Sequence, residues 1–511
     1  MTAFASELAS DRPNEIALRD PLQELTWGEI NDILNRAANA LQSLDLGEHR
    51  RIAVFAENAV ETALANLAGL ISGASVVPVN FHLSAEEVAY ILNDADVRLL
   101  FVGPETGLRG LQAAGMSVVD TVIGWRCEAE LQTVDWLDWL ADSSSQEPDD
   151  RVKPRPNLLY TSGTTGRPKG THLPPTMFAG GDTIAEHLDN LKANPQASPG
   201  PHLVVGPMYH TGPLSGARLL AAGTPSVILT KFDAEKTLAA ISTFQTTSTV
   251  MVPTHFVRLL ALPEATKGKY DVSSMIRVSH TGSKCPVDVK HAMINWWGPV
   301  FLDAYGASEV GTTCMITSEE WLNHPGSVGR SIPPFTAIIL DEDDNEVPAN
   351  TEGRLFFKDA TGRGVIYHND PAKSAAAHIA PGVFTLGEIA YMDEENYVYI
   401  TDRFSDMIVS GGVNIYPAEA EQILIQHPQV LDVACISIPH SEMGEELKAL
   451  VILDSNTGQG DEDDIIAFCR ARLSHFKCPR SIDFVTDLGR NTMGKINKRK
   501  LRSPYWETQG S

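Results

Sequence analysis

The run from Tyr160 to Gly170, YTSGTTGRPKG, gathers glycines, hydroxyl side chains and a lysine into one turn-forming stretch. Gly163 and Gly166 let backbone N–H groups point at an anion, Thr161, Ser162, Thr164 and Thr165 add hydroxyl donors, and Lys169 adds positive charge. This composition suits a phosphate-holding loop. Its order is not that of the Walker loop, where GKS/T follows a four-residue gap, so the P-loop nucleotidase reading is disfavoured.

Four further motifs follow: YGASE at Tyr305 to Glu309, TLGE at Thr385 to Glu388, DRFSDMIVSGGVNIYPAE at Asp402 to Glu419, and NTMGK at Asn491 to Lys495. In this order and at these separations the five motifs resemble the adenylate-forming superfamily of acyl-CoA synthetases, luciferases and nonribosomal-peptide adenylation domains. The likeness covers nearly the whole chain. The segments WWGP (296–299), HPGSVGR (324–330) and HFKCPR (475–480) are most similar to the bacterial fatty-acid, aryl and bile-acid CoA ligases.

The resemblance implies a reaction. A carboxylic acid is activated by ATP to acyl-AMP with loss of pyrophosphate, and CoA then displaces AMP to give a thioester. The alternatives are transfer to a free amine, as in an amide bond synthetase, or to a carrier protein. It also implies roles. Lys495 is the catalytic lysine, a compact charge on a flexible stem, and Glu309 associates with Mg²⁺, which wants a carboxylate together with phosphate oxygens. Thr161 and Lys169 join them as catalytic candidates. Nucleotide contacts fall to Tyr305, stacking on adenine, to Gly306 and Ser308, and to Arg403 near ribose and phosphates. Glu388 stands where the family usually has a ribose-binding Asp, one methylene shorter. Ser405 stands at the hinge position, often Asp or Lys. Gly411 and Gly412 would let backbone approach the pantetheine arm of CoA, and Lys477 and Arg480 could meet CoA phosphates.

The acid itself needs a pocket, expected from the loops PMYHTGP (207–213), PTHF (253–256) and SHTGSK (279–284) at the sheet's C-terminal edge. Met208, Tyr209, His210, His280 and Gly282 are its candidate residues. Gly282 and His210 match family positions beside the acyl group and the thiol passage, and apolar Met208 and Tyr209 suit a hydrophobic or aromatic acid.

The elements that must hold these loops are α/β. IAVFA, the helix 57–73 and SVVPVN form a βαβ unit with a parallel sheet. A second alternating cycle runs from Leu203 to Pro253, and Ser84 with Glu87 forms a capping box. After about residue 325 short strands with acidic turns indicate a β-rich subdomain, and the stretch 126–155 reads as a surface connection. The expected organisation is a large domain of doubly wound sheets, residues 1–402, followed by a small mobile α+β domain, 403–511.

At 511 residues the chain exceeds what one core holds. A net charge of −25 argues against nonspecific nucleic-acid or anionic-membrane binding. The exception is a basic island from Arg470 to Arg502, with ten Lys and Arg against Asp483 and Asp487. No apolar run of membrane-spanning length and no export signal is found. Six scattered cysteines read as reduced thiols, so cytoplasmic residence and a monomer or homodimer are expected.

Overall fold

The structure is a computed structural model and describes residues 5–161, 168–193, 199–403, 406–454, 460–489 and 496–507. Its first βαβ unit is as expected: strands Arg51–Phe55 and Ser75–Pro78 pair in parallel across the helix Val60–Ile71. Both strands are wholly buried, as a parallel sheet covered on both faces requires. They belong to a five-stranded parallel sheet completed by Leu99–Val102, Thr121–Gly124 and Val134–Asp135. The helix Ala85–Asp94 leading into it begins with the capping box of Ser84 and Glu87.

A second sheet of nine strands supplies most of the site. Its parallel middle runs through Ser226–Ile228, His202–Val204, Ser248–Met251, Arg277–His280 and Phe301–Ala307, in that spatial order. Antiparallel strands close both edges. The three pocket loops and the YGASE segment leave the C-terminal ends of these strands, where open α/β sheets bind ligands. A six-stranded sheet from Phe335–Leu340 to Val398–Arg403 forms the β-rich layer.

The smaller C-terminal domain has its own sheet, built on the long hairpin Val430–His440 and Gly444–Leu453, and its own core around Ile408, Leu424, Val451 and Ile465. Phe476 packs against this core and also against the core of the five-stranded sheet.

The stretch 126–155 departs from expectation. It contains the helix Trp136–Ala141, capped by Asp135, with Trp136 and Leu140 buried. Trp136 meets Phe101 and Trp125 edge to face, so this connection is a core element; its aromatic residues outweigh the polar SSSQEPDD run that follows.

Candidate active site

Strands Leu158–Thr161 and Lys169–His172 form a hairpin in which Thr161 and Lys169 are the last paired residues before the loop tip. Tyr160 anchors it by donating to Asp94 at 2.5 Å. Ser162, Gly163, Thr164, Thr165 and Gly166 lie outside the described residues, as do Ser405 and Lys495. Below the hairpin opens a cleft of about 2070 Å³ shared by both sheets and the small domain.

Glu309 is buried on the cleft wall. Burial raises its pKa, opposed by hydrogen bonds from Tyr367 and Thr161 and by the charge of Lys373. Lys169 and Lys373 stand over the ring of Tyr367, Nζ to centroid 5.8 and 5.0 Å, and Asp370 lies 3.5 Å from Lys169. Burial, then the neighbouring Lys169, brings Lys373 down to about 7. A carboxylate, a hydroxyl and two lysines thus converge where a polyphosphate with a divalent cation would be neutralised. Glu309 can supply the carboxylate that magnesium needs besides phosphate oxygens. Lys169 does not itself line the cleft, whereas Lys373 and Tyr367 do.

Tyr305, Gly306, Ser308 and Glu388 also face the cleft. The strand carrying Tyr305 bulges between Tyr305 and Gly306, and a Cβ at Gly306 would collide with the Gly311 carbonyl. Glu388 opens the strand Glu388–Met392 and sits opposite Arg403 in the ladder. The Arg403 side chain is outside the described set.

The glycine pair lies across the cleft mouth. Gly411 and Gly412 have φ of 58° and 84°, a region costly for any residue with a Cβ. The Gly411 N–H donates to the Met443 carbonyl at 2.8 Å, and a Cβ on Gly412 would stand 2.8 Å from Val252 Cγ1. Opposite, a Cβ on Gly282 would lie 3.7 Å from Gly412 Cα, so two backbones nearly touch there. Beside this contact runs an aromatic series: Tyr209 with His210 at 4.3 Å, Tyr209 with Phe81 at 5.6 Å, Phe81 with His82 at 4.1 Å, and His82 with Phe476 at 6.5 Å. Burial brings His210 down to about 4, leaving it neutral at physiological pH. Deeper in, His255 stacks on Phe232 at 4.0 Å.

Three expectations are corrected. Met208 is 1% exposed and packs in the core while its neighbours Pro207 and Tyr209 line the cleft. His280 is fully buried on the far side of its strand, against Phe256 and 3.5 Å from Asp303, because strand side chains alternate and Ser279 takes the cleft side. Lys477 is no surface cation for CoA. It is 2% exposed and bonds Glu87 and Glu419, each at 2.7 Å, with Ser474 donating to the same Glu87. Burial would lower its pKa, but the two carboxylates outweigh that and hold it raised. Arg480 remains half-exposed, 4.0 Å from Glu446. Tyr367 and Lys373, both in the cleft, carry no motif that sequence reasoning could seize.

The family described as AMP-binding enzyme matches residues 6–364, and its C-terminal domain matches residues 419–495. The chain belongs to the AMP-binding enzyme family. It is an adenylate-forming ligase, and its relatives include acid–CoA ligases and a fatty acid–acyl-carrier-protein ligase of Streptomyces coeruleorubidus. The indoleacetate–CoA ligase of Aromatoleum aromaticum is 29% identical, with 96% of this chain and 95% of that protein covered. A CoA ligase of Rhodococcus jostii for a methyl-dioxo-octahydroindenyl propanoate is 32% identical, with 95% of each covered. Among solved structures, the amide bond synthetase McbA of Marinactinospora thermotolerans superposes with a TM-score of 0.83 over 99% of this chain and 100% of that chain, at 22% identity. That likeness is one of fold. No helix among the described residues is long and apolar enough to cross a membrane.

Proposed function

We propose that this protein is an AMP-forming ligase that joins a hydrophobic or aromatic carboxylic acid to CoA through an acyl-adenylate, with residues up to 402 binding ATP and acid and residues from 403 forming the mobile part. In the first step an oxygen of the acid attacks the α-phosphorus of ATP and pyrophosphate leaves. Magnesium bound with the nucleotide supplies charge neutralisation. Thr161, Glu309 and Lys373 border the polyphosphate with Lys169 adding its charge beside Lys373, Tyr305 and Glu388 hold the nucleoside, and Lys495 balances charge on the transferring phosphate. In the second step the CoA sulfur attacks the acyl carbon, the C–O bond to phosphate breaks, and AMP departs.

The observation that carries the thioester half is the contact of Gly412 with Val252 and Gly282, with Gly411 beside it against Met443, in a cleft also lined by Phe81, Tyr209 and Phe476. A passage walled by backbone and flat rings fits a thin pantetheine arm. His210, held neutral, serves as wall and not as a base. Transfer to a free amine is the second reading, favoured by the longer Glu388 carboxylate and by GRNTM (489–493), which departs from the run usual in the CoA ligase branch that the sequence resembles. Cytoplasmic residence belongs to this reading.

The test is product analysis by mass spectrometry over a panel of acids, each with ATP and magnesium, offered CoA or amines at equal concentration. Thioester with AMP and pyrophosphate is expected. Amide in excess of thioester would replace the ligase reading with the second one.

A further inference from the structure

We infer that Arg218 receives a second carboxylate, carried by the acid at the end remote from the one that is activated. The inference rests on the acid-activating reading above and names the acid's chemical class.

The residue ends the helix Thr211–Arg218. Thr211, Ser215, Arg218 and, one turn on, Ala222 all face the cleft, at the three- and four-residue spacing of one helical face. The intervening Gly212 and Gly216 turn toward the sheet, where Cβ atoms would press on Val250 and collide with His202. The start of the helix adjoins Thr281, the neighbour of Gly282, where the reacting groups meet. Its eight residues then rise ~10 Å along the wall to Arg218. The guanidinium therefore marks a point deep along the acyl channel.

Nothing among the described residues neutralises it. Arg218 takes part in no salt bridge and donates no hydrogen bond there, and its Nη2 is shut off from solvent without a partner. Its charge acts on His187, which burial first and then Arg218 hold below its ordinary pKa and whose Nδ1 lies 2.7 Å from the Gly180 carbonyl. Two buried lysines are compensated by carboxylates, Lys290 by Asp303 and Lys477 by Glu87 and Glu419, and buried Arg51 donates to the Ala95 carbonyl at 2.7 Å. Burial brings Arg218 down to about 10, so it stays charged at neutral pH. A buried charge lacking its partner is costly, and a ligand carboxylate, which a guanidinium can grip through two hydrogen bonds, removes that cost.

The test compares straight-chain α,ω-dicarboxylic acids of about six to ten carbons, spanning the helix length, with monocarboxylic acids of equal length. Pyrophosphate release by the full chain with ATP and magnesium is read as kcat/KM. At the best length the dicarboxylate should be preferred ~10- to 100-fold, the range of a charge-assisted hydrogen bond. Arg218→Met should reverse the preference and Arg218→Lys should restore part of it. Should Arg218→Met not fold, Arg218→Gln and thermal-shift titration of the wild type with both acid series carry the same comparison. Monocarboxylates at least as good at every length, or an unchanged ratio in the variants, overturns the inference while leaving acid activation intact. No pyrophosphate with any acid overturns both.

Discussion

Replacing Glu87 by Gln should slow thioester formation and spare adenylation. Glu87 sits on the helix Ala85–Asp94 of the large domain, where its Oε2 accepts from the Ser84 N–H at 2.9 Å and from Ser474 Oγ at 2.5 Å, while Oε1 accepts from Lys477 Nζ at 2.7 Å. Ser474 and Lys477 belong to the small domain, so one carboxylate ties the two together. Gln keeps the capping box, in which it is as acceptable as Glu. It loses the charge, and its amide can accept at one end only. A unit pair at 4 Å is worth ~4 kcal/mol at an effective dielectric of 20, but the neutral side chain also escapes part of the burial penalty. The net loss is therefore ~1.5–3 kcal/mol, the worth of a hydrogen bond to a charged group, or ~10- to 100-fold in the docked population. Burial raises the Glu87 pKa, yet Lys477 and the hydrogen bonds outweigh it and hold the carboxyl below its usual range, whereas Lys477 is held above its own. The tie is thus lost only as pH falls through the lowered carboxyl value or rises through the raised lysine value, and should not vary between about pH 6 and 9. The assay supplies preformed acyl-AMP with CoA for one half-reaction and follows ATP–pyrophosphate exchange for the other. A similar fall in both, or none in the first, would refute the reasoning.

Gly412→Leu places a side chain against Val252 at φ 84°, and should cut thioester formation by ~100-fold or more while pyrophosphate exchange persists; thioester made at the wild-type rate would remove the glycine pair from the passage. Glu388→Ala should raise the KM for ATP by ~10- to 100-fold with little change for the acid, and Glu388→Asp separates drift from a rebuilt site, recovering activity in the first case only. ATP binding at pH 8 should take up protons, because phosphates near Lys373 raise a lysine otherwise at about 7; calorimetry in buffers of different ionisation enthalpy should find the uptake in the wild type and not in Lys373→Met. Lys495→Ala should slow adenylation by ~10²- to 10³-fold and leave the second step running, with equal loss in both steps as the contrary outcome.

Much of this was legible because local backbone demands leave marks in sequence. A left-handed backbone favours glycine, so Gly411–Gly412 announces itself as a turn, and Ser84 with Glu87 three residues on spells a helix start. The βαβ unit shows in the apolar runs of its buried strands. What escapes notice depends on phase or on distance along the chain. His280 and Met208 sit inside pocket segments but point the other way, a matter of one residue in an alternating strand or turn. Lys477 belongs to a basic island, and only folding sets it beside Glu87, 390 positions earlier. Arg218 and Lys373 are single cations with no motif around them. The cleft they enter is assembled from several sheets, and no sequence window contains it.

The glycines at 212 and 216 carry a consequence for how such an enzyme can change its diet. With no side chain at either position, the helix Thr211–Arg218 packs directly on the Val250 and His202 side chains of strands Ser248–Met251 and His202–Val204, and a Cβ at Gly216 would run into the His202 ring while one at Gly212 would press on Val250. That wall of the pocket is fixed, and the room for evolutionary tinkering lies in what projects from it. Exchanges at Ser215, Arg218, Leu219 and Ala222 alter length, girth and charge of the accepted acid without moving any element that holds ATP. Appetite can drift while the chemistry of activation stays put.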